Sequence, residues 1–349
     1  MSTNKETVVL TGANGGLGIA ILQNLVSRPD CHAIYAVRGD ASAASVRAAL
    51  GPFRHHSHDI LSLELNHLPS VRETAAAINA KVAAGEIPPI KALILNAACR
   101  EVPGQELTDS GLDAAFATNY LGHWLLALLL LGSMDRKHGR IIVVSGWVHD
   151  PLDDRNKSSG AFDKPEWKHI LSDASDSTID SIARGTWSPS LDDPSKDPRS
   201  LAGVRRYGAS KLFLVMMIFE LQRRLDTDPK LSGISVLGID PGMMPTKITT
   251  RGMSTVLRTI FMCVIQVSSR ISPNGTFRQP SKSATDVIRA AFGNCPPIGE
   301  YPKGIYLNGN ELKEPSEESK DRENRSAVWK TSIKYAQLTK HDVMLEDWA

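Results

Sequence analysis

Thr11-Gly12-Ala13-Asn14-Gly15-Gly16-Leu17-Gly18 follows directly on the apolar run Val8-Val9-Leu10, and the helix-like stretch Ile19-Ala20-Ile21-Leu22-Gln23-Asn24-Leu25 comes straight after it. An apolar strand that breaks into a glycine-rich turn and then a helix is a phosphate-binding device. Glycines let the backbone turn tightly and approach a pyrophosphate, while the helix N-terminus offers free N–H groups and a positive dipole end. The spacing is Gly12-x3-Gly16-x-Gly18 rather than G-x-G-x-x-G. Alone, such a turn fits an ordinary strand–helix corner equally well. Its weight comes from a second motif far along the chain.

That motif is Tyr207-Gly208-Ala209-Ser210-Lys211, which opens the apolar helical run Leu212-Phe213-Leu214-Val215-Met216-Met217-Ile218-Phe219. Four residues apart on a helix, Tyr207 and Lys211 project from one face. A phenol with a reference pKa of about 10 is a poor acid or base near neutrality. A neighbouring ammonium favours the phenolate, so the pair can exchange a proton with a carbonyl or alcohol oxygen. An isolated Y-x-x-x-K is more often a packed tyrosine and a solvated lysine; the glycine turn upstream reverses that balance.

With these residues in place, the chain resembles the short-chain dehydrogenase/reductase family from about residue 6 to 250. TGANGGLG is similar to the family's TGxxxGxG, which implies that Gly12, Asn14, Gly16, Leu17 and Gly18 touch the cofactor. Asn96-Ala97-Ala98, after the strand pattern Ala92-Leu93-Ile94-Leu95, resembles its NAG motif. Asn119, within Thr118-Asn119-Tyr120-Leu121-Gly122-His123, resembles the asparagine of its catalytic tetrad. YGASK resembles YxxxK, and Pro241-Gly242-Met243-Met244-Pro245-Thr246 resembles PGxxxT. The resemblance implies that Tyr207 donates the proton, Lys211 lowers its pKa and binds the nicotinamide ribose, and Asn119 supports a proton-relay water. It also places Asn96, Ala97, Pro241, Gly242 and Thr246 against the cofactor.

One departure bears on mechanism. The family's catalytic serine is usually the second residue of a Ser-Ser or Gly-Ser pair after the fourth parallel strand. Here that strand reads Arg140-Ile141-Ile142-Val143-Val144-Ser145-Gly146-Trp147, so Ser145 takes the first position and Gly146 falls where the hydroxyl is expected. Three readings stay open. Ser145 is shifted into the role by a bulge; another group such as His149 or a substrate hydroxyl replaces it; or the chemistry does without an oxygen clamp. A strand-end hydroxyl bonded to backbone is an equally good account of Ser145.

Cofactor preference is read at the end of the second strand, His32-Ala33-Ile34-Tyr35-Ala36-Val37-Arg38. An acidic residue there would accept the ribose hydroxyls of NAD. The chain instead offers Arg38, whose guanidinium can fork onto a 2′-phosphate, so NADP(H) is the expected cofactor. Asp40 lies two residues on and argues the other way. Glu64 stands where the family usually has an aspartate near the adenine, and a solvent-facing role fits it as well.

Alternating strand and helix patterns over residues 7 to 145 predict an α/β fold, a doubly wound parallel sheet of Rossmann type with helices on both faces. The whole chain, 1–349, reads as one such domain with elaborations: a polar insert at 150–206 beside the active site, an apolar substrate-covering segment at 247–280, and a C-terminal extension at 311–349. Trp124 to Leu131 is too short for a membrane span and reads as a buried helix. Residues 253–269 are apolar, which implies an apolar substrate; a helix packed on its own core and peripheral membrane contact are the alternatives. The ending, with Glu317-Glu318 leading into Val328-Trp329, resembles the retinol-dehydrogenase and protochlorophyllide-reductase-like branch.

With 349 residues, 42% apolar and 22% charged, and a net charge of +2, the composition is that of a globular enzyme without a nucleic-acid surface. Cys31, Cys99, Cys263 and Cys295 lack ligand spacing, so reduced thiols and no metal site are expected. Met1 to Glu6 lacks an apolar signal region, and the cytoplasm is the expected location. The expected activity is NADPH-dependent reduction of a bulky apolar carbonyl or activated alkene. A non-redox isomerase, dehydratase or cyclase on the same scaffold is the alternative raised by Gly146. A small apolar organic substrate and a homodimer are the expected partners.

Overall fold

Apolar side chains alternate in their destination along the central strands, and this period of two builds the molecule. In β1 (Glu6–Thr11) Val8 and Leu10 enter one apolar cluster and Val9 the other; in β5 (Arg140–Val144) Ile142 and Val144 part from Ile141 and Val143 in the same way. A sheet buried on both faces needs helices on both, and the connections supply them. The computed structural model describes residues 5–100, 104–190, 200–246, 249 and 254–349.

The sheet is completed by β2 (Cys31–Val37), β3 (His58–Ser62), β4 (Ile90–Leu95), β6 (Ser235–Asp240), β7 (Ile305–Asn308) and β8 (Glu311–Leu312). Its order is β3-β2-β1-β4-β5-β6-β7-β8. All neighbours are parallel except β7 and β8. The order reverses between β1 and β4, and the crevice beyond the carboxyl ends of those strands is where such sheets bind ligands.

One face carries α1 (Gly16–Leu25), α2 (Gly39–Leu50) and, later in the chain, the helix Pro280–Phe292; Ile21, Leu22, Val46 and Val287 enter the cluster there. The other carries α3 (Leu68–Ala83) and α4 (Ala114–Ser133), with a π-turn at Ala117–Leu121. Trp124 to Leu131 falls inside α4, whose apolar stretch is mostly buried, so that it serves as a core helix despite a length and composition that pass for a membrane span. Gly122 is required where α4 passes Leu65, because a Cβ there would lie 2.1 Å from the Leu65 carbonyl oxygen.

The insert contains α5 (Asp176–Ala183) and leads into α6 (Leu201–Thr227); residues 191–199 of it lie outside the described residues. In the apolar segment, 247–248 and 250–253 also lie outside them, and α7 (Thr255–Ile271) follows. The helix Pro280–Phe292 is α8, and the C-terminal extension folds as α9 (Glu317–Lys320) and α10 (Arg322–Ala336). This extension is part of the core. Trp329 is 1% exposed and meets the fully buried Trp124 edge to face, ring centres 5.2 Å apart. Its indole N–H donates to the Trp348 carbonyl at 2.7 Å, and the Arg224 guanidinium lies 4.5 Å above its ring.

A polar knot ties the strand reversal to α4. His123 is fully buried; its Nδ1–H donates to the Asn119 carbonyl at 2.9 Å, which leaves Nε2 to accept from the Thr11 hydroxyl at 2.9 Å. The Thr11 oxygen in turn accepts the backbone N–H groups of Asn96 and Ala97 at 2.9 and 3.0 Å. Burial holds the His123 pKa down to about 4. This tautomer has no place for a second ring proton.

Trp329→Ala is expected to cost about 3–5 kcal/mol, read from urea unfolding by circular dichroism. A cost under 1 kcal/mol would show the extension to be peripheral. The acid limb of stability follows from His123. Its folded pKa is depressed, so below the ordinary value of 6.5 the unfolded chain takes up a proton that the folded chain refuses. Its contribution is complete above that pH and is lost as pH falls towards 4, to a total of about 3 kcal/mol. Urea midpoints of wild type and His123→Gln should therefore converge between pH 7 and about 4.5.

Candidate active site

The glycine turn closes the first wall of the crevice. Gly12 has φ +65°, and a Cβ there would lie 2.7 Å from the Ala97 Cα; at Gly18 it would lie 2.2 Å from the Gly12 carbonyl oxygen. Both positions admit only hydrogen. No side chain caps α1, so its first-turn N–H groups face the turn unclaimed. Leu17 is buried in the core, and Asn96 donates from Nδ2 to the Thr11 and Gly12 carbonyls at 2.9 and 3.2 Å, holding β4 against the turn. This cradle fits a pyrophosphate.

The PG segment returns over the same turn. A Cβ on Gly16 would lie 2.8 Å from Thr246 Cγ2, so Thr246 rests on the glycine. Gly242 has φ +75° and takes no side chain because the Arg278 stem would be 2.8 Å away. Arg278 is fully buried and donates to the Asp240 carbonyl at 2.8 Å, while the Pro241 carbonyl accepts from Ser283 at 2.6 Å.

At the second strand, Arg38 stands before α2 with its side chain 74% exposed and 3.8 Å from the half-buried Glu64. No side chain caps α2 either, Gly39 has open space around it, and Asn14 donates to Ser42 at 3.0 Å. Arg38, Glu64, Asn14 and the N-terminus of α2 thus come together beside the glycine turn.

Tyr207 and Lys211 arrive on α6, whose close seating depends on Gly208: a Cβ there would lie 2.7 Å from the Val148 carbonyl oxygen. Tyr207 is half-buried. Burial pushes its phenol up to about 12, and the cation that opposes this is Arg100. Lys211 is 1% exposed; its Nζ donates to the Val144 carbonyl at 2.9 Å and lies 5.6 Å from the centre of the Tyr207 ring. Burial pulls Lys211 down to about 8. In the structure the Lys211 ammonium is turned to Val144, and Arg100 is a further cation beside the phenol that opposes the effect of burial.

Asn119 sits in the π-turn with its side chain fully used. Oδ1 accepts from the Cys99 N–H at 2.8 Å, while Nδ2 donates to the Cys99 carbonyl and to Ser210 Oγ, both at 2.9 Å. Ser210 then donates to the Tyr207 carbonyl at 2.7 Å. Asn119 is therefore a brace between the β4 end and the tyrosine-bearing turn of α6.

Ser145 is buried and its hydroxyl donates to the Lys211 carbonyl at 3.3 Å, the backbone partner of one of its two readings. Around Gly146, nothing lies within 4 Å of where a Cβ would be. His149 is spent on structure: Nδ1 donates to the Gly146 carbonyl at 2.7 Å and Nε2 accepts the Ser316 N–H at 3.2 Å. It offers no replacement for the absent hydroxyl. Arg100 is the neighbour of Tyr207 that motif reasoning passes over, although its place just after Asn96-Ala97-Ala98-Cys99, beyond a strand's carboxyl end, is where such sites gather.

Residues 6–149 match the family described as short chain dehydrogenase. A protein of Talaromyces variabilis, short-chain dehydrogenase iccH, is 40% identical over 98% of both chains. Human retinol dehydrogenase 13 is 26% identical over 95% of this chain and 85% of its own. The NADPH-bound carbonyl reductase from chicken fatty liver superposes with a TM-score of 0.57 at 15% identity, covering 89% of this chain and 99% of the reductase; this likeness is one of fold. With its motifs brought to one crevice and a full-length relative at this identity, the chain belongs to the short-chain dehydrogenase/reductase family, in the retinol-dehydrogenase and protochlorophyllide-reductase-like branch.

Proposed function

We propose that the enzyme uses NADPH to reduce a bulky, largely apolar carbonyl or activated alkene, with Tyr207 as the proton donor. The observation that carries this reading is the half-buried Tyr207 phenol, one helical turn from Lys211, on the side of the sheet where the strands' carboxyl ends and the glycine turn lie. When bound, the nicotinamide supplies the hydride. The chain's own residues bind, orient and protonate. The backbone of Gly12 to Gly18 and the uncapped α1 take the pyrophosphate. Arg38 and the first turn of α2 take the 2′-phosphate, since the exposed contact of Arg38 with Glu64 at 3.8 Å is weak enough to exchange.

Lys211, with a pKa of about 8, is mostly charged at neutral pH and is aligned by Val144 for the nicotinamide ribose. Tyr207 gives its proton to the substrate, and Asn119 fixes the backbone on both sides of it. The apolar substrate class is supported by α7, which follows the PG segment and docks through buried Ile265 and through Phe261 against Phe277, ring centres 6.0 Å apart. Retinol, for which human retinol dehydrogenase 13 is named, is an apolar alcohol. Gly146 favours protonation of carbon over clamping of oxygen. It also sustains the second reading, acid–base isomerisation, dehydration or cyclisation by Tyr207 and Lys211.

Titration by nicotinamide fluorescence should show NADPH binding about tenfold or more tighter than NADH, with Arg38→Leu removing the difference. A screen of apolar ketones, aldehydes and enones should then reveal NADPH consumption. Tyr207→Phe should lose about a hundredfold or more in kcat while keeping its NADPH affinity. Failure to bind either nucleotide would move the enzyme to the non-redox reading.

A further inference from the structure

Arg100 is part-buried, and its guanidinium has an environment unlike that of the paired arginines beside the site. Arg206 pairs with Asp113 at 2.9 Å, Arg155 with Asp240 at 2.9 Å, and Arg278 donates to backbone carbonyls. Arg100 makes no ion pair or hydrogen bond among the described residues, and its Nε is closed off from solvent. A cation left like this is costly unless an anion arrives to meet it. Its position is also enforced. Asn119 clamps both the N–H and the carbonyl of Cys99, the preceding residue, and the same side chain reaches Tyr207 through Ser210. Arg100 is thus built into the frame that places the proton donor. Across the crevice, Gly146 leaves open space where the family has a hydroxyl. The charged groups that act on Tyr207 are Arg100, Cys99 and Asp240, and Arg100 is the cation among them.

We propose that Arg100 is an anion subsite beside Tyr207, and that the natural substrate is an apolar carbonyl compound bearing a planar oxyanion, a carboxylate or the enolate of a 1,3-dicarbonyl. The guanidinium fork matches such a group with two parallel N–H donors. This deepens the proposed reaction and rests on Tyr207 as its proton donor: Arg100 anchors the acidic end of the substrate and makes up for the oxygen clamp missing at Gly146. The apolar remainder of the substrate lies under α7.

Binding to the full-length enzyme with NADPH present tests this without turnover. By calorimetry, 1-naphthoate should bind at least tenfold tighter than neutral 1-naphthamide, or 5,5-dimethylcyclohexane-1,3-dione, ionised at neutral pH, at least tenfold tighter than its neutral enol methyl ether. Whichever pair shows the larger ratio distinguishes carboxylate from enolate. Arg100→Gln should bring that ratio close to one with NADPH affinity retained, and Arg100→Lys should keep part of it. No preference for either anion in the wild type, or a preference untouched by Arg100→Gln, overturns the subsite; the wild-type comparison decides even if the variant does not fold. The two proposals fail separately. Reduction of neutral ketones without anion preference removes the subsite alone, whereas Arg100-dependent anion binding without hydride transfer to any carbonyl removes the reductase reading alone.

Discussion

The Thr11 hydroxyl is the small group on which the site depends. It ends β1, accepts the two backbone N–H groups that end β4, and donates to the ring nitrogen of a neutral histidine in α4. The ladder between β1 and β4 runs as far as Leu10 and Ile94, and the N–H groups of Asn96 and Ala97 lie just beyond it. One buried oxygen satisfies both. Because His123 is held by the Asn119 carbonyl, the same knot fixes where the π-turn lies and so where the Asn119 side chain points. The cradle, the β4 end and the brace on Tyr207 are consequences of one hydrogen-bond network, and its members allow a single tautomer.

Burial, more than paired charge, sets the protonation states at the centre. It raises the phenol and lowers the ammonium, so both groups are pushed towards neutral forms. In a site of this kind an added cation acts at close range in poor solvent, where it is worth more than at the surface. Arg100 is such a cation beside Tyr207, and the Lys211 ammonium is turned to a backbone carbonyl. The absent hydroxyl at Gly146 and the unpaired guanidinium at Arg100 are best understood together, as one oxygen-binding arrangement exchanged for another.

Much of this was legible in the chain. The doubly wound sheet follows from period-two strands alternating with helices, and the cradle follows from glycines whose close contacts leave no room for Cβ atoms. Tyr207 and Lys211 were legible because helical spacing brings them to one face. Arg100 was not, since a guanidinium in a loop after a strand has no periodic signature, and its lack of a partner is a property of the packed interior. The brace by Asn119 was hidden for a similar reason: a π-turn and a bond to Ser210, 91 residues away, leave no local pattern. That the C-terminal extension belongs to the core was also hidden, because its buried apolar residues, Val328, Trp329, Ala336, Leu338, Val343 and Leu345, are scattered among many polar ones.

The insert and the C-terminal extension act as one collar around α6. Glu318 of the extension accepts the backbone N–H groups of Ile170 and Leu171 in the insert, and the Tyr335 hydroxyl donates to Asp180 of α5 at 2.6 Å. The Ser316 N–H reaches His149 beside Gly146. Next to Tyr207, Arg206 forms a buried pair with Asp113, which also accepts the first N–H groups of α4. Such a pair, with both side chains out of water, is a poor source of net stability but a strict one of geometry, because separating the charges leaves each uncompensated. It stitches the start of the helix carrying Asn119 to the start of the helix carrying Tyr207. At the far end of α6, Glu220 and Arg224 are closed over by Trp329 and Asp347. The long helix is therefore held at both ends, by the insert and α4 beside Tyr207 and by the extension at its far end. A tyrosine carried on a helix fixed in this way can keep its register against the glycine cradle without a serine opposite it to define the position.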